Sequence, residues 1–235
     1  SIHYQPQADT LSGRLCGAEA LARWHCSKYG DVSPGEFIPL MEQSGLIIPF
    51  GQWILSHSMA QCLEWSRSKP DFQISVNLSY IQLTQGNFIS FLRTVLEENS
   101  LAPSRLIMEL TETYLAKAEE DTLRLIAQMK ELGVKIAMDD FGVGYSSLFS
   151  LKSIPVDVVK IDRGFVKGIT SDLFNATFIR SITDLCHDVG RKVCLEGVET
   201  KEEYEAVREL GMEYIQGYYF GRPMSARQFE DRLKE

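Results

Sequence analysis

The residues with the clearest chemical potential lie between Lys135 and Asp162, in KIAMDDFGVGYSSLFSLKSIPVDVVKID. Asp139 and Asp140 stand side by side at the end of an apolar run, a loop with Gly142 and Gly144 follows, and a second apolar run ends in Lys160-Ile161-Asp162. A strand that delivers paired carboxylates into a loop, beside another that delivers a lysine, is how a barrel enzyme can hold metal ions next to a reactive water. Other polar residues interrupt apolar runs in the same manner. Glu19 lies within LCGAEALARW, Asn77 ends FQISVN, Glu109 lies in LIMELTE and Glu196 ends KVCLE. A glutamate in such a run strains the core unless it meets a cation.

The elements that carry these groups follow from periodicity. Ile2 and Tyr4 alternate with polar positions, DTLSG (9–13) reads as a turn, and Leu15–Trp24 reads as the second strand of an antiparallel hairpin. Ser33-Pro34-Gly35-Glu36 is a capping box that opens a short helix to about Ser44, with Pro39 expected to kink it. A longer helix is expected over Phe50–Ser68 and a strand over Phe72–Asn77. Helix and strand then alternate: a helix from Phe88 to Glu98, a strand from Leu106 to Glu112, a helix from Glu119 to Leu132, and strands over Val134–Asp139 and Val156–Ile161. A helix from Leu173 to Val189 should bury Phe178, Ile182, Leu185, Cys186 and Val189. A strand over Lys192–Glu196, a second capping box at Thr200–Glu203, a short strand over Glu213–Gln216 and a helix opened by Ser225–Gln228 complete the chain. Eight strands in regular alternation predict an α/β fold, a modified TIM (β/α)8 barrel with one antiparallel strand near the N-terminus.

Strand residues in a barrel point alternately inward and outward. Asn77 shares its face with Ser75, Glu109 with Ile107, Asp139 with Ala137, Lys160 with Val158 and Glu196 with Cys194. The opposite face carries Val76, Met108, Met138, Val159 and Leu195, suited to packing under helices. Five strands therefore each place one polar group at the inner C-terminal rim, where barrel active sites lie. Glu19, Asn77, Glu109, Asp139, Asp140 and Glu196 form an oxygen-donating set. Hard divalent ions such as Mg²⁺ or Mn²⁺ would relieve the mutual repulsion of its carboxylates. Asp139 is the natural bridge between two such ions, and Lys160 could orient or deprotonate a water there.

The 235 residues suit one barrel, and a net charge of -8 disfavours a domain that grips a nucleic-acid polymer by charge. The five cysteines form no CxxC pair, which fits a reducing compartment and a cytoplasmic domain. No apolar run approaches the about 20 residues needed to span a bilayer, so no membrane contact is expected. SIHYQPQAD resembles neither a signal peptide nor a natural start, so residues 1–235 are expected to be one domain excised from a longer protein.

EALARW, Asn77-Leu78-Ser79, ELTET (109–113), DDFGVGYSS (139–147), VDVVKID, EGVET (196–200) and QGYYFGRP stand in order along the chain. Together they closely resemble the EAL domain, the bacterial cyclic di-GMP phosphodiesterase. The resemblance implies hydrolysis of cyclic di-GMP to 5′-pGpG with two Mg²⁺ or Mn²⁺ ions. By analogy, Glu19, Asn77, Glu109 and Asp139 hold one ion, and Asp139, Asp140 and Glu196 hold the other. Lys160 would sit at the catalytic water, Arg23 would pair with a substrate phosphate, and Gln216 would contact water or substrate. Glu112 would steady the Asp140–Ser147 loop, which also borders a homodimer interface in the family. Tethering to sensory or GGDEF domains is implied as well. Val143 departs from the family's usual threonine and lacks its hydroxyl. The alternatives are a catalytically silent cyclic di-GMP receptor or protein-interaction module and, from the barrel alone, an enolase-like lyase.

Overall fold

The computed structural model of the chain describes residues 1–143, 151–152 and 154–234. The strands are β1 (Ile2–Asp9), β2 (Leu15–Ala22), β3 (Trp24–Cys26), β4 (Gly30–Val32), β5 (Gln73–Asn77), β6 (Leu106–Thr111), β7 (Lys135–Phe141), β8 (Val158–Ile161), β9 (Lys192–Glu196) and β10 (Tyr214–Gln216). The helices are α1 (Pro34–Ser44), α2 (Ile47–Ser66), α3 (Tyr80–Leu83), α4 (Phe88–Asn99), α5 (Glu112–Leu115), α6 (Glu120–Glu131), α7 (Leu173–Asp188), α8 (Lys201–Val207) and α9 (Ala226–Leu233).

Eight of the strands close a barrel in the order β1-β10-β9-β8-β7-β6-β5-β2, while β3 and β4 form a separate ribbon. β1 pairs antiparallel with both β2 and β10, and the remaining barrel pairs are parallel. This is the modified TIM barrel that strand–helix alternation predicts. The odd strand is held from outside by packing. Tyr4 meets Trp65 edge-on at 4.8 Å, and Trp65 stacks on Phe229 at 4.5 Å, joining β1 to α2 and α9. Tyr4 also exchanges backbone hydrogen bonds with Met224 at 2.7 and 3.0 Å.

The barrel wall separates two apolar regions. Val76, Met108, Met138, Val159 and Leu195 face outward into the main core beneath the helices. Ile107, Ala137, Val158 and Cys194 face inward and form a small buried cluster of their own, with Tyr214 at its edge. The expected alternation is therefore realised on β6 to β9.

Several boundaries shift for local reasons. α2 starts at Ile47, ahead of the expected Phe50, because Pro49 falls in its first turn, where a missing N–H leaves no intrahelical bond unmade. α1 runs on through Pro39 to Ser44. β2 stops at Ala22, so Trp24 belongs to the ribbon, which pairs Trp24 with Val32. β6 stops at Thr111, and Glu112 opens α5. The buried stripe of α7 is Ile179, Ile182, Thr183 and Cys186, at i, i+3, i+4 and i+7 spacing. Phe178 and Leu185 are partly buried against the core as expected, Phe178 stacking on Phe165 at 4.1 Å, whereas Val189 is exposed. The capping box at Thr200 forms as expected, with Glu203 N–H donating to Thr200 Oγ1 at 3.2 Å and Thr200 N–H donating to Glu203 Oε2 at 3.1 Å.

Candidate active site

Strand register sets the height of each polar group. Asn77 pairs with Glu109 across β5 and β6, Lys160 with Cys194 across β8 and β9, and Gln216 with Glu196 across β10 and β9. Within each of β6 to β9 the polar group lies two residues beyond the inward apolar residue of its own strand, and stagger between strands sets Lys160 beside Cys194 and Glu109 beside Ala137. One layer of the barrel is a packed floor, and the next is a polar ring.

Lys160 occupies the middle of that ring and is 2% exposed. Its ammonium lies 2.8 Å from Glu109, 2.8 Å from Glu196, 3.1 Å from Asp139 and 3.5 Å from Glu19. Burial disfavours its charge, but the four carboxylates outweigh burial and hold its pKa well above the ordinary lysine range. Without bound cations the four carboxylates thus favour the ammonium form, in which Lys160 is a hydrogen-bond donor toward the ring.

One cation among four carboxylates leaves excess negative charge, and the individual groups register it. Burial pushes Glu109 well above the ordinary carboxylate range, reinforced by the charge of Glu19. Burial likewise raises Glu196 to about 7, with Lys160 opposing and Asp139 adding to the rise. For Glu19, burial pushes upward too, but Lys160 and then hydrogen bonds from Gln216 and Asn77 bring its pKa below the usual value. Those bonds are 2.6 Å from Gln216 Nε2 to Oε2 and 2.7 Å from Asn77 Nδ2 to Oε1.

Asp140 depends on a local distortion. Adjacent strand residues ordinarily point to opposite faces, yet Asp139, Asp140 and Glu196 each offer a carboxylate oxygen within 4.8 Å of the others. Asp140 has a φ of 55°, and the β7–β8 register shifts between Met138 and Phe141. Both features mark a bulge, which turns consecutive side chains toward one place. Asp140 stays open to solvent on one side, and partial loss of solvent around its carboxyl together with the charge of Asp139 raises its pKa.

Glu112 lies beside the ring. It is 2% exposed, and its Oε2 accepts the Gly142 N–H at 3.1 Å, tying α5 to the residues after the bulge. Gly142 has a φ of 98°, and a Cβ there would come within 2.4 Å of Phe165, so this close approach needs glycine. Val143 is 65% exposed. Gly144 to Ser147, and with them most of the expected loop and dimer-border segment, lie outside the described residues.

Arg23 is set apart from the ring. It lines a cavity of about 380 Å³ with Glu19, Asn77, Pro34 and Phe50, and its Nη1 donates to the Ala22 carbonyl at 2.8 Å. Trp24 packs edge-on against Phe37 at 5.8 Å. A second cavity of about 320 Å³ lies over Asp139, Asp140, Glu196 and Gln216, and both cavities reach Glu19 and Leu21. Its wall includes Gln5, Arg163 and Tyr218, and Gln7 lies beneath Gln216; the sequence reading passed over all four. Gln5 and Gln7 could have been found as inward positions of β1, which alternate with buried Tyr4, Pro6 and Ala8.

The donor set fits divalent cations. Its donor atoms include the carboxylate oxygens that hard ions prefer, and Glu109 Oε1 is buried without a hydrogen-bond partner among the described residues. The fold and rim define a barrel of enzyme type with an acidic, cation-seeking centre. The chain matches the EAL domain family over residues 1–223 and belongs to that family. It is 39% identical over 228 residues to the bifunctional diguanylate cyclase/cyclic di-GMP phosphodiesterase MucR of Pseudomonas aeruginosa, covering 97% of this chain and 33% of that protein. It is 35% identical over 229 residues to the cyclic di-GMP phosphodiesterase PdeR of Escherichia coli, covering 97% of this chain and 34% of that protein. The chain thus spans about a third of the length of these curated relatives. Among solved structures it resembles the PaMucR phosphodiesterase in a c-di-GMP complex, with a TM-score of 0.90 and 38% identity, covering 97% of this chain and 93% of that one. An EAL domain protein from Listeria monocytogenes superposes with a TM-score of 0.81 at 31% identity, covering 99% of this chain and 92% of that one.

Among the described residues no helix is long and apolar enough to cross a membrane. All five cysteines are free.

Proposed function

We propose that the chain is a metal-dependent phosphodiesterase that hydrolyses cyclic di-GMP to linear 5′-pGpG. The observation that carries this reading is the convergence of Glu19, Glu109, Asp139 and Glu196 on one buried lysine, with Asp140 turned in beside them. The names of its relatives supply the substrate.

Glu19, Asn77, Glu109 and Asp139 would hold one Mg²⁺ or Mn²⁺ ion, and Asp139, Asp140 and Glu196 a second. When bound, the ions supply Lewis acidity and offset charge on the phosphodiester. Lys160 donates a hydrogen bond to the attacking water and orients it. Water oxygen forms the new bond to phosphorus, the P–O3′ bond breaks, and the proton lost by water ends on the O3′ alcohol. Gln216 keeps Glu19 in place through its 2.6 Å bond. Arg23 pairs with the phosphate that does not react, for which the planar guanidinium is suited. Two cavities that meet at Glu19 and Leu21 suit an elongated ligand with two bases. Homodimerisation beside the Asp140–Ser147 loop and tethering to further domains belong to this reading as proposals.

The test is incubation with cyclic di-GMP and Mg²⁺ or Mn²⁺, followed by chromatography, with Glu19→Gln as control. Metal-dependent 5′-pGpG that is lost in the variant is the expected result. Tight binding of cyclic di-GMP without product would replace the enzyme with a receptor. Neither binding nor product would overturn both.

A further inference from the structure

β1 is the strand that breaks the barrel's parallel repeat, and its inward face is polar. Gln7 on that face is 7% exposed and lies in register with Gln216 on one side and Gly17 on the other. Its Nε2 donates to Gln216 Oε1 at 2.9 Å and to Ser75 Oγ at 3.4 Å. Gln216 in turn donates through Nε2 to Glu19 Oε2 at 2.6 Å. The result is a directed chain of three buried side chains, Gln7 to Gln216 to Glu19.

Direction matters because the two ends of an amide differ. Gln216 can offer its NH₂ to Glu19 only while its carbonyl oxygen faces away, and in a buried place that oxygen needs a donor. Gln7 provides that donor. Room for the Gln7 amide comes from Gly17, where a Cβ would lie 2.9 Å from Gln7 Oε1 and 3.0 Å from the Gln73 carbonyl. Glu19 is then fixed on both oxygens, by Asn77 at Oε1 and by Gln216 at Oε2.

We propose that Gln7 is a positioning residue for Glu19, acting through the amide of Gln216 to hold that carboxylate in its metal-binding orientation. This rests on the reading of Glu19 as a metal ligand. Groups that orient a ligating side chain typically change metal affinity by about 10–100-fold when removed.

The test is Mn²⁺ binding by calorimetry, without substrate, in the whole chain. Gln7→Met keeps length and burial but removes the donor. It should raise the half-saturating Mn²⁺ concentration about tenfold. In a Gln216→Met background the same change should add less than about twofold, since two residues acting through one bond are not additive. Ile179→Val on α7, remote from the site, should lower the melting temperature and leave Mn²⁺ binding as it is, which separates positioning from general stability. Wild-type affinity in Gln7→Met, or a full further tenfold loss in the double variant, would overturn the proposal. Wild-type protein that binds Mn²⁺ but yields no 5′-pGpG would overturn the enzymatic reading alone. Wild-type protein that binds no Mn²⁺ would overturn both.

Discussion

Inside the barrel, two consecutive layers are built from the same strands on the same face, yet they do opposite things. The lower layer, Ile107, Ala137, Val158 and Cys194, is a buried apolar floor. The upper layer, Glu109, Asp139, Lys160 and half-buried Glu196, is a polar ring with one cation among three of these carboxylates and Glu19. The floor is what burial of apolar surface favours by itself. The ring opposes stability, because removing charges from water is costly unless they are well paired. Two residues of strand separate packing from chemistry, and the floor keeps the ring at the rim, where a substrate can reach it.

The sharpest way to break this contrast is to remove the central cation. Lys160→Met should leave four carboxylates without their partner and destabilise the metal-free protein by about 3–5 kcal/mol at pH 8. Urea unfolding in chelator measures this, and turnover should be lost. If the variant were as stable as wild type, the ring would not be the strained layer.

A second test adds cations. Each Mn²⁺ ion, at about 100 times its Kd, should stabilise the fold by about 2.7 kcal/mol, a rise in melting temperature of about 5–10 °C per occupied site for a chain of this size. The rise should depend on pH. Glu196 sits at about 7 in the fold, above its ordinary value of 4.5, so the folded state binds that proton more tightly. Its contribution to metal-free stability is present at low pH and is lost as pH climbs from 4.5 toward 7. Mn²⁺ competes with the same proton, so the thermal shift should be small at pH 5 and full at pH 8. A pH-independent shift would place the ions elsewhere.

The smallest effect belongs to the floor. Ile107→Val should cost about 1 kcal/mol of stability, since it deletes one buried methylene. Metal-saturated turnover should stay close to wild type. A loss of turnover larger than the loss of stability would mean that the floor tunes the ring directly.

Much of this organisation is legible in the amino-acid sequence because strands have a period of two. That period puts Glu109, Asp139, Lys160 and Glu196 on the face opposite Met108, Met138, Val159 and Leu195, and the structure places them there. Strand–helix alternation likewise predicts the barrel. Where that logic is local it also fails locally. Pro49 falls in the first turn of α2 and masks its start, and Val189 at the end of the expected α7 stripe is exposed. The β3–β4 ribbon spans three residues per strand, too few for a periodic signal.

By itself the sequence determined which residues could form the site and which side of each strand they occupy, because side-chain alternation is a property of the local backbone. Only the tertiary structure decided how those residues meet. Strict alternation would have turned Asp140 away from Asp139, and the bulge at φ 55° brings it back. The carboxylates that push the Lys160 pKa up in the metal-free fold come from four other strands, a charge environment no single segment contains. Gln7 reaches Glu19 through a residue 209 positions away, since closing the barrel pairs β1 with β10. Such contacts depend on register between distant strands, and register is set by closure of the whole barrel.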